Sequence, residues 1–424
     1  MHNLKISNTW KRMQVFKKWW LGLGLGLWSV SALALMPTEG SSNPAYKTFD
    51  LKFIQLMEAG QIPGASVVIV KQGSVVYAKA YGYANLENQI PVNLNSEFRL
   101  ASASKTLTAI GILKLVSEGK LSLSQKVFPY LGLSPLPGES MANGVNSITV
   151  QNLLEMSAGW DRLYDPLFGP WPESEIHKYH LPTPMTCEYA ARYMMGRPLV
   201  SAPGQNFAYA NVDYCLLGLV IAKASAGNLS ETAYETYMQG LFHSLGANSL
   251  HLGSSNIHDP ISNEVTYYRL RGATLEASDD DYLRLNDLPY STDNILTDNY
   301  ANGGWVASAP DLARIFIGLE QGKLLPRKEM DLLWSVPPGK SAHFTYFKGV
   351  QYLKWPYGMG MWRIQDHGRL LFMAHGSFTG TTSMILKKPS GEIDIALFNA
   401  KPGYSMEELF QFRQKLIELF DEHA

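Results

Sequence analysis

Strand-like runs at both ends of this 424-residue chain, with helical runs between them, constrain its fold more than any other feature. Residues 65–70 and 75–80 are rich in Val and Ile and flank Lys71-Gln72-Gly73-Ser74, a hairpin signal. Residues 370–374, 382–386 and 393–399 repeat that grammar, with Pro389-Ser390-Gly391-Glu392 as a turn. Residues 48–59 read as a helix, and residues 405–423 close the chain with Leu409, Phe412, Leu416, Leu419 and Phe420 at helical spacing. Helical spacing or helix-start signals also mark residues 105–117, 150–156, 214–226, 231–244 and 310–320. The pattern predicts an α+β fold: one antiparallel sheet drawn from both chain ends and flanked by helices, with an inserted helical lobe. The expected boundaries are a sheet lobe over about 48–100 and 340–424 and a helical lobe over about 101–339, so that 48–424 is one unit. Residues 161–184 and 253–302 lack periodicity, and loops of that length are commonly functional lids or disordered segments.

Lys5, Lys11, Arg12, Lys17 and Lys18 precede any acidic residue, and residues 19–36 then run without a charge through Ala32-Leu33-Ala34. A basic region, an apolar stretch and small residues make a secretory signal. Left uncleaved, the stretch is about long enough to tether the protein to the inner membrane. Residues 1–36 are therefore expected to be a signal peptide or membrane anchor, residues 37–47 a linker, and the compartment the periplasm or cell envelope. Two cysteines, Cys187 and Cys215, supply neither a disulfide scaffold nor a four-Cys zinc site. Export permits a bridge between them, whereas the apolar run around Cys215 favours a buried free thiol. With 36 Lys+Arg against 37 Asp+Glu, no basic footprint for nucleic acid exists.

Ser102 and Lys105, in Ala101-Ser102-Ala103-Ser104-Lys105, stand three apart where the longest apolar helix begins, so they share a face. A serine hydroxyl needs a base to take its proton, and a desolvated lysine can serve because burial lowers its pKa. The start of a helix also offers N–H groups to a developing oxyanion. On the tetrapeptide alone, a capping serine and a surface lysine remain the commoner reading. Downstream, Tyr209-Ala210-Asn211 sits in a loop leading into a helix, and His375-Gly376-Ser377-Phe378 lies between two strand-like runs.

These three elements, in this order and at these separations, resemble the serine beta-lactamase and penicillin-binding-protein superfamily, nearest to its branch of class C beta-lactamases, DD-peptidases and family VIII esterases. Supporting blocks are Ile62-Pro63-Gly64-Ala65 and residues 118–123, 148–159, 303–308 and 357–361. The resemblance implies that Ser102 is the acylated nucleophile, that Lys105 helps to deprotonate it, and that Tyr209 is the second acid/base group. It implies that Asn211 hydrogen-bonds the substrate amide or acyl side, and that the backbone N–H groups of Ser102 and Phe378 form the oxyanion hole. The third motif departs from the Lys-Thr-Gly of the lactamases: His375 replaces the lysine, which weakens attraction for a carboxylate, and Ser377 stands where Gly is usual.

The expected function is that of an exported, monomeric serine hydrolase acting through an acyl-enzyme, with no metal and no organic cofactor. Its substrate is a small ester or a D-amino-acid peptide of the peptidoglycan type, ahead of a beta-lactam. The rivals are a catalytically silent envelope binding or assembly protein, and a true class C beta-lactamase or DD-carboxypeptidase. The presence of Ser102, Lys105, Tyr209 and Asn211 together disfavours the silent protein. No Gly-x-Ser-x-Gly, phosphate-loop or His-Glu-x-x-His pattern occurs. His177 and His180 lack a ligand partner, and Asp279-Asp280-Asp281 reads as a solvated loop. Tyr164, Phe168, Trp171 and Tyr179 are expected to line a substrate cleft.

Overall fold

Residues 64–85 fold as the hairpin that the Gln72-Gly73 turn announces, and the rest of the sheet assembles around it. The computed structural model describes residues 36–168, 173–182, 186–254, 263–271, 274–277, 300–335, 345–346, 350–351, 356–403 and 405–423. The expected leader up to residue 35, Trp171 and Asp279-Asp280-Asp281 lie outside them. Among the described residues, nine strands form one antiparallel sheet. The amino-terminal part supplies β1 (Thr38–Gly40), β2 (Gly64–Lys71), β3 (Ser74–Asn85) and β4 (Ile90–Pro91). The carboxyl-terminal part supplies β5 (Tyr357–Gly358), β6 (Met361–Asp366), β7 (Arg369–Phe378), β8 (Thr381–Lys387) and β9 (Ile393–Phe398). The order is β1-β3-β2-β9-β8-β7-β6-β5, with β4 beside β3. The two chain ends thus join at β2 and β9, in the register Val67 to Ala396 and Val68 to Ile395.

β9 is buried along its whole length and β2 along all but its last residue. Successive strand side chains point to opposite faces, so unbroken burial means that both faces are covered. Helices α1 (Lys47–Ala59) and α7 (Met406–Asp421) supply one cover. Phe53 stacks on Phe398 with ring centres 5.8 Å apart, and Phe49 meets Phe420 at 5.6 Å. Ser405 and Glu408 close a capping box at the start of α7. The inserted region contains α2 (Ser104–Ser117), α3 (Cys187–Met195), α4 (Asn211–Ala226), α5 (Glu231–His243) and α6 (Ala309–Glu320), and α6 packs on β2 and β9. α2 is buried from Ser104 to Leu113 and α4 from Asn211 to Ala222, as befits helices that are apolar all round.

Four elements depart from the sequence reading. β7 runs on to Phe378, beyond residues 370–374, because β8 pairs with it through Phe378 to Thr381. Residues with little intrinsic strand preference, such as Gly376 and Ser377, follow their partner strand. Residues 162–164 and 166–168 form single 3-10 turns, and α3 has no counterpart among the expected helices.

The reading of Cys215 as a free thiol is also corrected. Cys187 at the start of α3 is bridged to Cys215 in α4, with Cα atoms 5.5 Å apart. The sequence leaves open where α3 lies, and only packing of α3 on α4 brings the two sulfurs together. A bridge across 28 residues removes unfolded-state entropy equivalent to about 3–4 kcal/mol in the chain-entropy model. Urea denaturation of Cys187→Ala/Cys215→Ala should show a loss of about 2–4 kcal/mol against the oxidised protein.

Candidate active site

Residues 98–105 are held on three sides before they reach the helix. Phe98–Arg99 pairs with Trp305–Ala307, and the Leu100 N–H donates to the Trp305 carbonyl at 2.8 Å. From β8, Thr381 Oγ1 donates to the Arg99 carbonyl at 3.0 Å and Ser383 Oγ to that of Leu100 at 2.6 Å. Ala101 then turns with φ +46°, a left-handed conformation that costs a residue with a Cβ about 1–3 kcal/mol. Ser102 lies in the 3-10 turn Ala101–Ala103, which leads directly into α2, and α2 starts one residue earlier than the expected Lys105.

Lys105 lies in the first turn of α2, fully out of solvent. Its Nζ is 3.2 Å from Ser102 Oγ, 2.9 Å from Asn211 Oδ1 and 2.8 Å from the Asn302 carbonyl. Burial lowers its pKa to about 7, against an opposing pull from the charges of Asp165 and Asp213. An amine with that pKa is available as a base near neutrality.

Tyr209 hydrogen-bonds to Ser102, and its ring centre is 5.1 Å from Lys105 Nζ. Burial raises its pKa to about 12, the bond to Ser102 and the charges of Arg162 and Arg413 offsetting part of the rise. The phenol is therefore protonated at rest, a proton donor beside an amine that loses its proton near pH 7. Tyr209 stacks on Trp362 at 6.0 Å and 10°, and Trp362 on His375 at 6.1 Å and 11°, while Tyr357 meets Trp362 edge-on at 4.7 Å. The asparagine side chain has one possible orientation: Nδ2 of Asn211 donates to the Leu167 carbonyl at 2.9 Å, which only the nitrogen can do, so Oδ1 faces Lys105.

Gly376 sets β7 against the serine turn. A Cβ there would sit 2.0 Å from the Leu100 carbonyl oxygen and 2.7 Å from the Ser102 amide nitrogen, so no other residue permits this approach. Phe378, two residues on, is the last residue of β7 and pairs with Thr381. Ser377 Oγ is out of solvent and has no hydrogen-bond partner among the described residues. His375 is half-buried, and desolvation with the nearby charges of Arg413 and Lys105 holds its pKa well below the usual value, so it is neutral near pH 7.

The fold thus gathers Ser102, Lys105, Tyr209, Asn211, His375 and Gly376 in one place. Sequence reasoning missed three neighbours. Trp362 aligns Tyr209 and His375. Arg413 donates to the Gly376 carbonyl at 3.2 Å, and its signal was an arginine inside the apolar stripe of α7. Asp165 carries none, being one acid in an aperiodic stretch. Of the aromatic residues expected in the cleft, Trp171 and the side chain of Phe168 lie outside the described residues, and Tyr164 and Tyr179 do not line the cleft beside Tyr209. Tyr179 is buried and bonded to Lys178 and Glu139, and Tyr164 is 37% exposed. A cleft of about 220 Å³ beside Tyr209 is lined instead by Trp160, Asp161, Arg162, Val200 and Phe207, among others.

Comparison with known proteins bears on the family and the fold. The Beta-lactamase family model matches residues 49–404. Protein flp of Staphylococcus aureus (strain MRSA252) is 29% identical over 235 residues, 55% of this chain and 43% of its own length, so the chain spans less than half of that relative. The structure of an octameric penicillin-binding protein homologue from Pyrococcus abyssi superposes with a TM-score of 0.64 at 23% identity, over 88% of this chain and 77% of the other. A D-stereospecific amidohydrolase from a Streptomyces species gives 0.60 at 21% identity, over 84% and 96%.

The Gly376 contact makes a direct prediction. Gly376→Ala should lower the rate of Ser102 labelling by a fluorophosphonate about 100-fold, by displacing the serine turn about 1 Å. Mass spectrometry of the labelled protein measures that rate.

Proposed function

The chain belongs to the beta-lactamase family, and from that premise we propose that it is a serine hydrolase that forms an acyl-enzyme on Ser102 and cleaves a small ester or a D-amino-acid peptide outside the cytoplasm. The observation that carries this reading is the solvent-free Lys105 amine, 3.2 Å from Ser102 Oγ, whose pKa is lowered to about 7 so that its neutral form is well populated at pH 7.

The proton accounting divides the work between two groups. Lys105 takes the Ser102 proton as Oγ attacks the carbonyl carbon, and the oxyanion gathers at the N–H groups of Ser102 and Phe378. Tyr209, protonated at rest, gives its proton to the leaving group as the acyl bond breaks. In the second half, the Tyr209 phenolate takes a proton from water, the hydroxide attacks the ester, and protonated Lys105 returns its proton to the departing Ser102 Oγ. One water is consumed and every group regains its starting state. Asn211 Nδ2 keeps one N–H for the acyl side of the substrate, the other being held by Leu167.

Substrate class rests on the third motif and the cleft. A neutral His375 offers no fixed charge to a substrate carboxylate, which favours esters and amides without one over beta-lactams. The cleft beside the proposed acid, about 220 Å³ and walled by Trp160 and Phe207, suits a small leaving group of mixed polarity. Export is supported by the basic and apolar leader and by the Cys187–Cys215 bridge, since disulfides persist in oxidising compartments. The protein is taken to act as a monomer, with residues 19–36 as its membrane tether if they are retained.

Turnover of a p-nitrophenyl ester, a D-Ala-D-Ala peptide and nitrocefin side by side tests the substrate order; hydrolysis of nitrocefin far ahead of the other two would reverse it. A mass shift on Ser102 from a fluorophosphonate, absent in Ser102→Ala, tests the nucleophile. Because Lys105 must be neutral to act, kcat/KM should rise about tenfold per pH unit below pH 7 and level off above it. Tyr209→Phe should lower kcat about 10²–10⁴-fold with the acid limb of that profile retained.

A further inference from the structure

Helix α4 begins without a cap of its own. Its N-cap residue is Ala210, whose side chain has nothing to offer the first free N–H groups. Asp165, 46 positions earlier in the chain, fills the role. Its Oδ2 accepts from the N–H of Asn211 and, at 3.2 Å, from that of Val212, and its Oδ1 accepts from the N–H of Leu167 at 2.9 Å. The carboxylate therefore bonds at once to the start of α4 and to its own loop.

That loop is also where Asn211 is anchored. Leu167, oriented by Asp165 Oδ1, presents the carbonyl that holds Asn211 Nδ2, and Asn211 Oδ1 in turn holds Lys105 Nζ. An unbroken chain of hydrogen bonds runs from Asp165 through Leu167, Asn211 and Lys105 to Ser102. The same loop contributes Asp161 and Arg162 to the wall of the cleft beside Tyr209.

We propose that Asp165 is a positioning residue for catalysis: its carboxylate clasps the 161–168 loop to the start of α4 and thereby fixes Asn211 against Lys105 and the cleft wall against Tyr209. The inference rests on the reading of Ser102 and Lys105 as nucleophile and base. Two consequences separate the clasp from a purely structural cap. Geometry passes through Asn211 to the amine, so its loss appears in the chemical step. Charge passes directly, because Asp165 is one of two carboxylates whose fields reach Lys105, the other being Asp213 on α4. The remaining groups facing the amine are Tyr209 ahead of α4, Tyr214 on α4 and neutral His375 on β7. Removing the Asp165 charge makes Lys105 easier to deprotonate.

Asp165→Asn tests this in the full-length protein. The amide keeps the shape but offers one acceptor where the carboxylate offers two, and no charge. The expected result is a fall of about 100-fold in kcat and in Ser102 labelling by a fluorophosphonate, with KM changed far less, in a protein that still unfolds cooperatively. The acid limb of kcat/KM should move down by about one pH unit, a change that loss of packing alone does not produce. If Asp165→Asn does not fold, Asp165→Ser, whose hydroxyl still accepts from a helix N–H, carries the same comparison. Normal labelling of the wild type together with wild-type kcat and an unmoved acid limb in the folded variant would overturn the clasp and leave the hydrolase reading standing. An unlabelled wild type would overturn both.

Discussion

The amine of Lys105 is enclosed without solvent, bonded to Ser102 Oγ, Asn211 Oδ1 and the Asn302 carbonyl, all neutral oxygens. Charge is disfavoured there, because burial removes hydration that neutral partners replace only in part. Much of the surrounding architecture maintains that enclosure. α2 must run through the centre of the protein with its first turns covered by α4, by β7 and by the segment around Gly360. A Cβ on Gly360 would stand 2.7 Å from the Lys105 backbone, and the Gly360 carbonyl accepts from Thr106 Oγ1 at 2.9 Å. Close packing of backbone on backbone leaves water no route to the amine from that side.

The opposite requirement, charge where it is useful, is met further out. Arg413 reaches the back of β7 from α7, and α7 is fastened by a buried ionic cluster at its far end. Lys388 pairs there with Glu392, with Asp394 at 3.1 Å and with Asp421 at 3.3 Å, while Arg369 bonds both Asp421 and Asp366. Such clusters add little net stability but are strongly destabilising to break by halves. The position of Arg413 near His375 and Tyr209 is thus fixed by groups at the other end of its helix.

Legibility followed the range of the interaction. Ser102 and Lys105 were legible as neighbours from their spacing and as nucleophile and base only through the family resemblance, whereas the central strands and longer helices were legible because their periodicity is local. Short range also explains the capping box of α7. Asn211 was legible as a site residue, but its orientation was not, since that depends on Leu167 and Lys105 from two other parts of the chain. Asp165 escaped notice because a cap is sought beside its helix, whereas here it stands 46 residues away. The Cys187–Cys215 bridge was weighed and disfavoured, because the apolar run around Cys215 says nothing of where α3 packs.

By itself the sequence determined the class of fold and, through its resemblance, the family and the candidate site: a serine, a lysine, a tyrosine and an asparagine. Tertiary structure alone decided their protonation states and their geometry. Lys105 becomes near neutral only when α4, β7 and the Asn302 carbonyl have excluded water, and Tyr209 stays protonated only inside its aromatic frame. Burial and hydrogen bonding between segments a hundred or more residues apart have no trace in any window of sequence, and it is they that set the charge on each group.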